Sequence, residues 1–337
     1  MRLVPKGWRR LTLTPDQFRR ASYLGLIGLA LIVLTGAAVR LTDSGLGCPD
    51  WPRCYGKPYP PLSTHALIEF GNRAFSGIVG VVAVIVFLLS LRRRPFRRDL
   101  VWWSTTLPLG VVAQAVLGGF TVREHLAPGF VMAHFGLSML ILVGAFGLAW
   151  RATYEPRHRP LSADRLSVWT IRALAPLGAL TIFAGTAATA AGPHSGGSTG
   201  QHVHRLTFKG ADTLQWVVHR HATIAALFGV AVVGAWLLAR SRPRPRAVEQ
   251  LTVLGVLVAA QGLTGSVQYE LRLPGDMVWV HVALATASWV ALLWAVAAAG
   301  RLAPRRVEVP EARPLAPPAY PAAASPPEPV VGASPQP

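Results

Sequence analysis

The chain reads as an all-α polytopic membrane protein, with eight transmembrane helices arranged as two pseudo-symmetric four-helix bundles. Three observations predict this. Of its 337 residues, 52% are apolar and only 14% are charged. Several runs with almost no charge are long enough to cross a hydrocarbon core of ~30 Å as helices. Landmarks of the first half also recur in the second, at intervals of 147 to 149 residues.

Helices are expected at about 21–41, 67–91, 100–122, 128–150, 168–191, 213–239, 249–268 and 276–299. This divides the chain into a tail (1–20), a first half (21–150), a linker (151–167), a second half (168–299) and a Pro/Ala-rich tail (300–337). The last stretch cannot bury a core and reads as disordered. The first apolar run is too long to be a removed signal peptide, and it lacks a small-residue cleavage site. Each half has four helices, so the copies keep one orientation, related by a two-fold axis along the membrane normal.

A net charge of +18 would point to nucleic acid in a soluble protein. Here the cations gather on one set of connections: the N-terminus, the turn Arg92-Arg93-Arg94-Pro95-Phe96-Arg97-Arg98, and Arg240 to Arg246. By the positive-inside rule that side is cytoplasmic and both termini lie inside a bacterial-type plasma membrane. The charge is therefore a topology signal; the partner it implies is lipid, and no nucleic acid.

Cys48 and Cys54 fall in the first outer loop, which faces an oxidising compartment where a disulfide persists. A free thiol pair and a metal site are the alternatives, and no nearby His completes a four-ligand set.

His219 and His281 lie 62 residues apart in apolar sequence, and Asn72 and His134 repeat that interval. Each falls five or six residues below the outer end of its helix, ~8–9 Å deep. Two histidines at one depth on neighbouring helices can clamp a haem from both faces. Hydrogen bonding to a neighbouring helix is the bland alternative. At an offset of 147, Asn72-Arg73 matches His219-Arg220, Gln114 with Gly118 matches Gln261 with Gly265, and His134 matches His281. Gly36-Ala37-Ala38 matches Gly185-Thr186-Ala187-Ala188 at about 149.

The first half has one of its two expected ligands. It also carries Glu69, opposite Trp216 in the repeat. A carboxylate at membrane depth is costly unless paired or working. Glu69 reads either as an i,i+4 partner of Arg73 or as a catalytic acid beside a loosely held macrocycle. The asymmetry argues for a permanent haem in the second half and an exchangeable one in the first. Arg73 and Arg220 are candidates for haem propionates or for helix-packing ion pairs. His221, two residues past His219, is expected to face elsewhere and to be structural. His65, His125, His194, His202 and His204 fall in outer loops, where His194 is a candidate for the mouth of the second site.

At these residues the chain resembles the haem A synthase family. The resemblance covers about residues 21 to 299. It rests on Thr35-Gly36-Ala37-Ala38-Val39-Arg40-Leu41-Thr42, on Gly45-Leu46-Gly47-Cys48-Pro49-Asp50-Trp51-Pro52, and on Ile68-Glu69-Phe70-Gly71-Asn72-Arg73. Gly192-Pro193-His194 and the surroundings of His219 and His281 add to it. The resemblance implies haem b in the C-terminal half and haem O as substrate in the N-terminal half. It also implies oxidation of a ring methyl to formyl by successive hydroxylations, giving haem A for cytochrome oxidase. His219 and His281 match the axial ligands of haem b, His134 a substrate-haem ligand, Glu69 the catalytic carboxylate, and Cys48 with Cys54 the outer-loop pair. Many members have His at the position of Asn72; actinobacterial-type members have Asn. An electron-transfer partner and a complex with haem O synthase follow from the pathway. A bis-His electron-transfer cytochrome and a haem carrier are the competing classes, and Glu69 and Asn72 count against the first.

Overall fold

A computed structural model describes residues 12–243 and 246–303. Its eight long helices are α1 (Pro15–Leu41), α2 (Thr64–Arg92), α3 (Arg98–Arg123), α4 (Pro128–Thr153), α5 (Arg165–Ala191), α6 (Thr213–Arg240), α7 (Val248–Glu270) and α8 (Gly275–Ala299). All eight are long and apolar enough to cross a membrane, so this is a multi-pass membrane protein.

Helix α1 begins six residues before its expected start, for a reason written in the sequence. The Thr14 hydroxyl accepts the Gln17 N–H, the Gln17 side chain accepts the Thr14 N–H, and Pro15 occupies the first turn. The linker after α4 carries a short strand. Leu161–Ser162 (β1) pairs in parallel with Arg301–Leu302 (β2), just past α8. Gly300 makes that return possible: its φ is 88°, and a Cβ there would lie 2.8 Å from the Pro160 carbonyl oxygen. The tail expected from residue 300 is thus ordered through Ala303, and the remainder falls outside the described residues.

Within each half the helices form a closed ring in chain order, α1-α2-α3-α4 and α5-α6-α7-α8. Helix α2 therefore lies diagonally across from α4, and α6 from α8. The halves meet along α4 and α8, flanked by α1 against α8 and α4 against α5, as a two-fold relation requires. At this seam Trp289 is buried and its indole N–H donates to the Met139 carbonyl at 2.9 Å. The Trp279 indole N–H donates to the Leu34 carbonyl at 3.0 Å.

Two ends are distinct. At the arginine-rich end, Arg93 is 1% exposed and bonds Glu155, while Arg97 and Arg159 share Asp99 at 2.8 and 2.5 Å. Some of the arginines that signal topology are thus also staples between the α2–α3 turn and the segment after α4. The other end carries the Cys48–Cys54 loop.

Burial fixes the register of the repeat. Buried positions in α4 and α8 match at an offset of 147 (Met139/Thr286, Leu142/Trp289, Ala145/Leu292, Leu148/Ala295), as do Ser104/Leu251 and Leu107/Leu254 in α3 and α7. In α2 and α6 the offset is 149: Val79/Phe228, Ala83/Val232, Val86/Ala235 and Ser90/Ala239. Helices α1 and α5 also match at 149. The inner turns and the helix starts, Thr64 and Thr213, put the two-residue difference after α6, although the outermost buried pair, Ala66 and Thr213, keeps 147. Asn72 corresponds to His221 instead of His219, and Glu69 corresponds to Val218 instead of Trp216.

Candidate functional site

In the second half the inward histidine of α6 is His221, which corrects the expectation that His219 fills that role. His221 continues the buried stripe of Thr213, Val217 and Phe228, at helical spacing. Its ring lies 6.3 Å from the ring of His281, centroid to centroid, at 78°. Its Nδ1 donates to the Thr181 carbonyl of α5 at 3.1 Å, which leaves Nε2 as the free lone pair. His219, two residues earlier, is exposed and faces Tyr269 at 6.5 Å. Residues two apart on a helix project to opposite sides, so only one of the pair can face inward.

Glycines make room for both inward rings. A Cβ at Gly185 would lie 3.0 Å from Cε1 of His221, and one at Gly265 would lie 3.2 Å from Cε1 of His281. The Gln261 amide approaches Nε2 of His281 at 3.4 Å, and Nδ1 of His281 is buried with no hydrogen-bond partner among the described residues.

The first half repeats the arrangement with changes. His134 packs on Gly118, where a Cβ would lie 3.3 Å from its Cε1, and its buried Nδ1 also lacks a described partner. Gln114 donates to the His134 carbonyl at 3.0 Å and to Ser138 at 2.6 Å. Opposite, Asn72 stands where His221 stands in the second half, and its amide oxygen accepts from the Thr35 hydroxyl at 2.8 Å. The shorter side chain leaves space. A Cβ at Gly36, the counterpart of Gly185, meets no described atom within 4 Å.

Glu69 is 5% exposed. One oxygen pairs with Arg73 at 2.5 Å and the other accepts the Cys48 N–H at 2.7 Å. Arg73 also donates to the carbonyls of Cys48 (3.2 Å), Asp50 (2.9 Å) and Arg53 (2.9 Å). Both terminal nitrogens of its guanidinium are engaged with Glu69 and the loop, so it stands as a brace between them. Cys48 and Cys54 form a disulfide with an S–S distance of 1.99 Å. Within this ring the Asp50 carboxylate accepts the N–H groups of Gly56 (2.8 Å) and Tyr55 (2.6 Å), which hold its pKa below the ordinary value. The Trp51 ring rests on α3, 3.1 Å from a Cβ built at Gly119.

The loops at this end join the halves. The Gly45 N–H donates to Gly196 at 2.7 Å, and Gln201 donates to Leu46 at 3.0 Å. Arg40 donates to the carbonyls of His194 and Thr189, and the His194 ring bonds the Leu273 carbonyl at 2.7 Å. His194 thus braces the turn before α8. Arg220 is exposed and lies over Trp216, 5.3 Å from its ring.

The arrangement defines a class: a duplicated four-helix membrane protein with an inward imidazole pair in one half, and an imidazole opposite an amide beside a buried carboxylate in the other. The COX15-CtaA cytochrome oxidase assembly protein family model matches residues 19–67 and 62–293, and the chain belongs to that family. A protein of Thermus thermophilus named protoheme IX farnesyltransferase is 31% identical over 88% of this chain and 51% of its own length. Proteins named haem A synthase are 30% identical in Shewanella oneidensis (47% of this chain, 50% of that one) and 34% identical in Symbiobacterium thermophilum (41% and 47%). The chain spans about half the length of these curated relatives.

Proposed function

We propose that the chain is a haem A synthase, an oxidoreductase that converts the ring methyl of haem O to formyl in two hydroxylations followed by loss of water. The observation that carries this reading is the contrast between halves: His221 with His281 in one, His134 with Asn72 and Glu69 in the other. Haem b is assigned to the second half, with His221 replacing His219 as partner of His281. The residues fit the group. The rings of His221 and His281 lie 6.3 Å apart, centroid to centroid, and Nδ1 of His281 is buried without a described partner, so these two imidazoles would hold the group. Haem b, when bound, supplies one-electron chemistry.

The rest of the work falls to the chain. Thr181 fixes the tautomer of His221, as outer-shell carbonyls do for metal-bound imidazoles. In the first half His134 holds one face of the substrate, and Asn72 leaves the other face open to exchange. Glu69 lies one helical turn from Asn72, where its carboxylate can orient an alcohol or hydrated aldehyde, take the proton of one hydroxyl on Oε2 and return it to the other hydroxyl, which leaves as water. Arg73 and the Cys48 N–H hold that carboxylate in place, and the loop with Trp51 shields the first half from bulk water.

The positive-inside rule supports an inner-membrane orientation with the arginine-rich end and both termini cytoplasmic and the sites toward the outer face. The farnesyltransferase name of the Thermus relative supports working contact with the enzyme that makes haem O. The electron-transfer partner is of a redox-active class. The test is to express the protein in a host supplied with haem O, extract its haems, and separate them with mass detection. Haem B together with haem A, or with a hydroxylated intermediate, is expected. Haem B alone would leave an electron-transfer cytochrome, and no haem in folded protein would sink the reading.

A further inference from the structure

The repeat places an aromatic ring in one half where the other half has an open slot. In the first half, the surface between α2 and α3 at the disulfide end is covered. Phe70 packs on the disulfide, and Trp51 rests on Gly119. By the registers above, the counterparts are His219 for Phe70 and Ser266 for Gly119. In the second half these counterparts, His219 and Ser266, are exposed. The α5–α6 connection runs to the first half instead, with Gly196 on Gly45 and Gln201 on Leu46.

What remains is an exposed face along α6 and α7 at this end. The helices pack antiparallel, with Trp236 bonded to Thr252 and Gly229 beside Val258. Further toward the disulfide end the His219 ring faces Tyr269. Ala226, Gly262, Ser266, His219 and Tyr269 are all exposed, and no described atom lies within 4 Å of a Cβ built at Gly262. The same face of α6 carries Leu227 and Val230, exposed apolar residues that meet lipid. A histidine on such a face is costly unless it has a partner, and Tyr269, in the last turn of α7, stands where tyrosine rings meet the headgroup region. Neither ring's polar atoms form a hydrogen bond among the described residues.

The geometry points to a binding site for the headgroup of a lipid-soluble quinone on this face, beside His219 and Tyr269. Three features define the occupant. It reaches the site through lipid, so it is apolar overall. A flat ring suits it, as the indole of Trp51 rests on Gly119, the counterpart of Ser266. It carries oxygen acceptors at its rim, because His219 N–H and Tyr269 O–H are donors there. The choice of a redox-active ring rests on the haem chemistry proposed above; the slot for a flat ring does not. His221 lies two residues from His219 on the opposite side of α6, so site and buried pair share one turn of helix.

The test uses the full chain in lipid nanodiscs with a photoreactive azido-quinone and peptide mapping by mass spectrometry. Labelling of residues 219–226 or 262–270, competed by unlabelled short-tailed quinone, is expected. Ser266→Trp, which fills the slot as Trp51 fills its counterpart, should abolish it. Tyr269→Phe removes only the hydroxyl and should raise the half-saturating concentration roughly tenfold. Optical spectra of the same samples report haem b separately, so loss of haem and loss of quinone binding are read apart. Labelling confined to the first half, labelling indifferent to both substitutions, or competition by haem but not by quinone would overturn the proposal.

Discussion

The imidazole of His221 stands edge-on to that of His281, 6.3 Å away, with its Nδ1 tied to the Thr181 carbonyl. His219 is on the other side of the same helix. The two histidines of α6 therefore make opposite predictions. His221→Ala should lose haem b and its bis-imidazole optical spectrum, whereas His219→Ala should retain both. Haem-to-protein ratio and the reduced-minus-oxidised spectrum decide between them, and loss of haem in the His219 variant alone would reverse the assignment.

Glycine spacing supplies an independent check on the same pair. A methyl at Gly185 would sit 3.0 Å from the His221 ring, closer than a comfortable van der Waals contact, while Gly36 has open space. Gly185→Ala should shift the His221 ring and change the haem b spectrum or lower its occupancy. Gly36→Ala should leave that spectrum unchanged.

The helices, the repeat and the inward positions of His134 and His281 were legible in the sequence because apolar periodicity and spacing are local properties. The choice between His219 and His221 was readable too. Val217, His221 and Phe228 lie on one stripe, and that stripe outweighs the likeness of His219-Arg220 to Asn72-Arg73. Thr14-Pro15-Asp16-Gln17 likewise announced the start of α1. The contacts of Trp51 with Gly119, Gly45 with Gly196, and Arg73 with the loop carbonyls were not readable. They join segments whose approach depends on the packed bundle.

Arg73 connects the loop to Glu69, and it is mostly buried. Removing its charge leaves the Glu69 carboxylate without its counterion, at a cost of about 3–5 kcal/mol for a buried pair. Arg73→Gln should lower thermal stability and free the loop, so that a membrane-impermeant phosphine reduces Cys48–Cys54 faster than in wild type. Glu69→Gln keeps the shape and removes the proton acceptor. It should cut haem A formation by about a hundredfold or more while the second half's haem spectrum is unchanged. Full turnover in that variant would remove Glu69 from the chemistry.

Asp50 sets the pH range over which the loop holds. The N–H groups of Gly56 and Tyr55 favour its ionised form, so its folded pKa lies below its unfolded value. Its stabilising effect is present above the ordinary carboxylate range, about pH 4, and is lost as pH falls through the depressed value. Phosphine reduction of the disulfide, corrected for the reagent's own pH dependence, should therefore stay level from neutral pH to about pH 5. It should rise only in stronger acid. Asp50→Asn should show the faster rate already at neutral pH.

Asn72 separates the two halves most sharply, since its counterpart is His221 and the helix positions match: each lies eight residues into its helix, from Thr64 and from Thr213. Replacing Asn72 by His would supply the second imidazole opposite His134. The space needed exists, because the region around Gly36 is open where the His221 ring crowds Gly185. Asn72→His should then bind the first-half haem more tightly and turn its spectrum into that of a six-coordinate low-spin iron. If the open face serves exchange and reaction, tighter binding comes with slower turnover: more haem O and hydroxylated intermediate should co-purify, and less haem A should be released. A variant that binds the substrate no differently would mean that Asn72 does not face it.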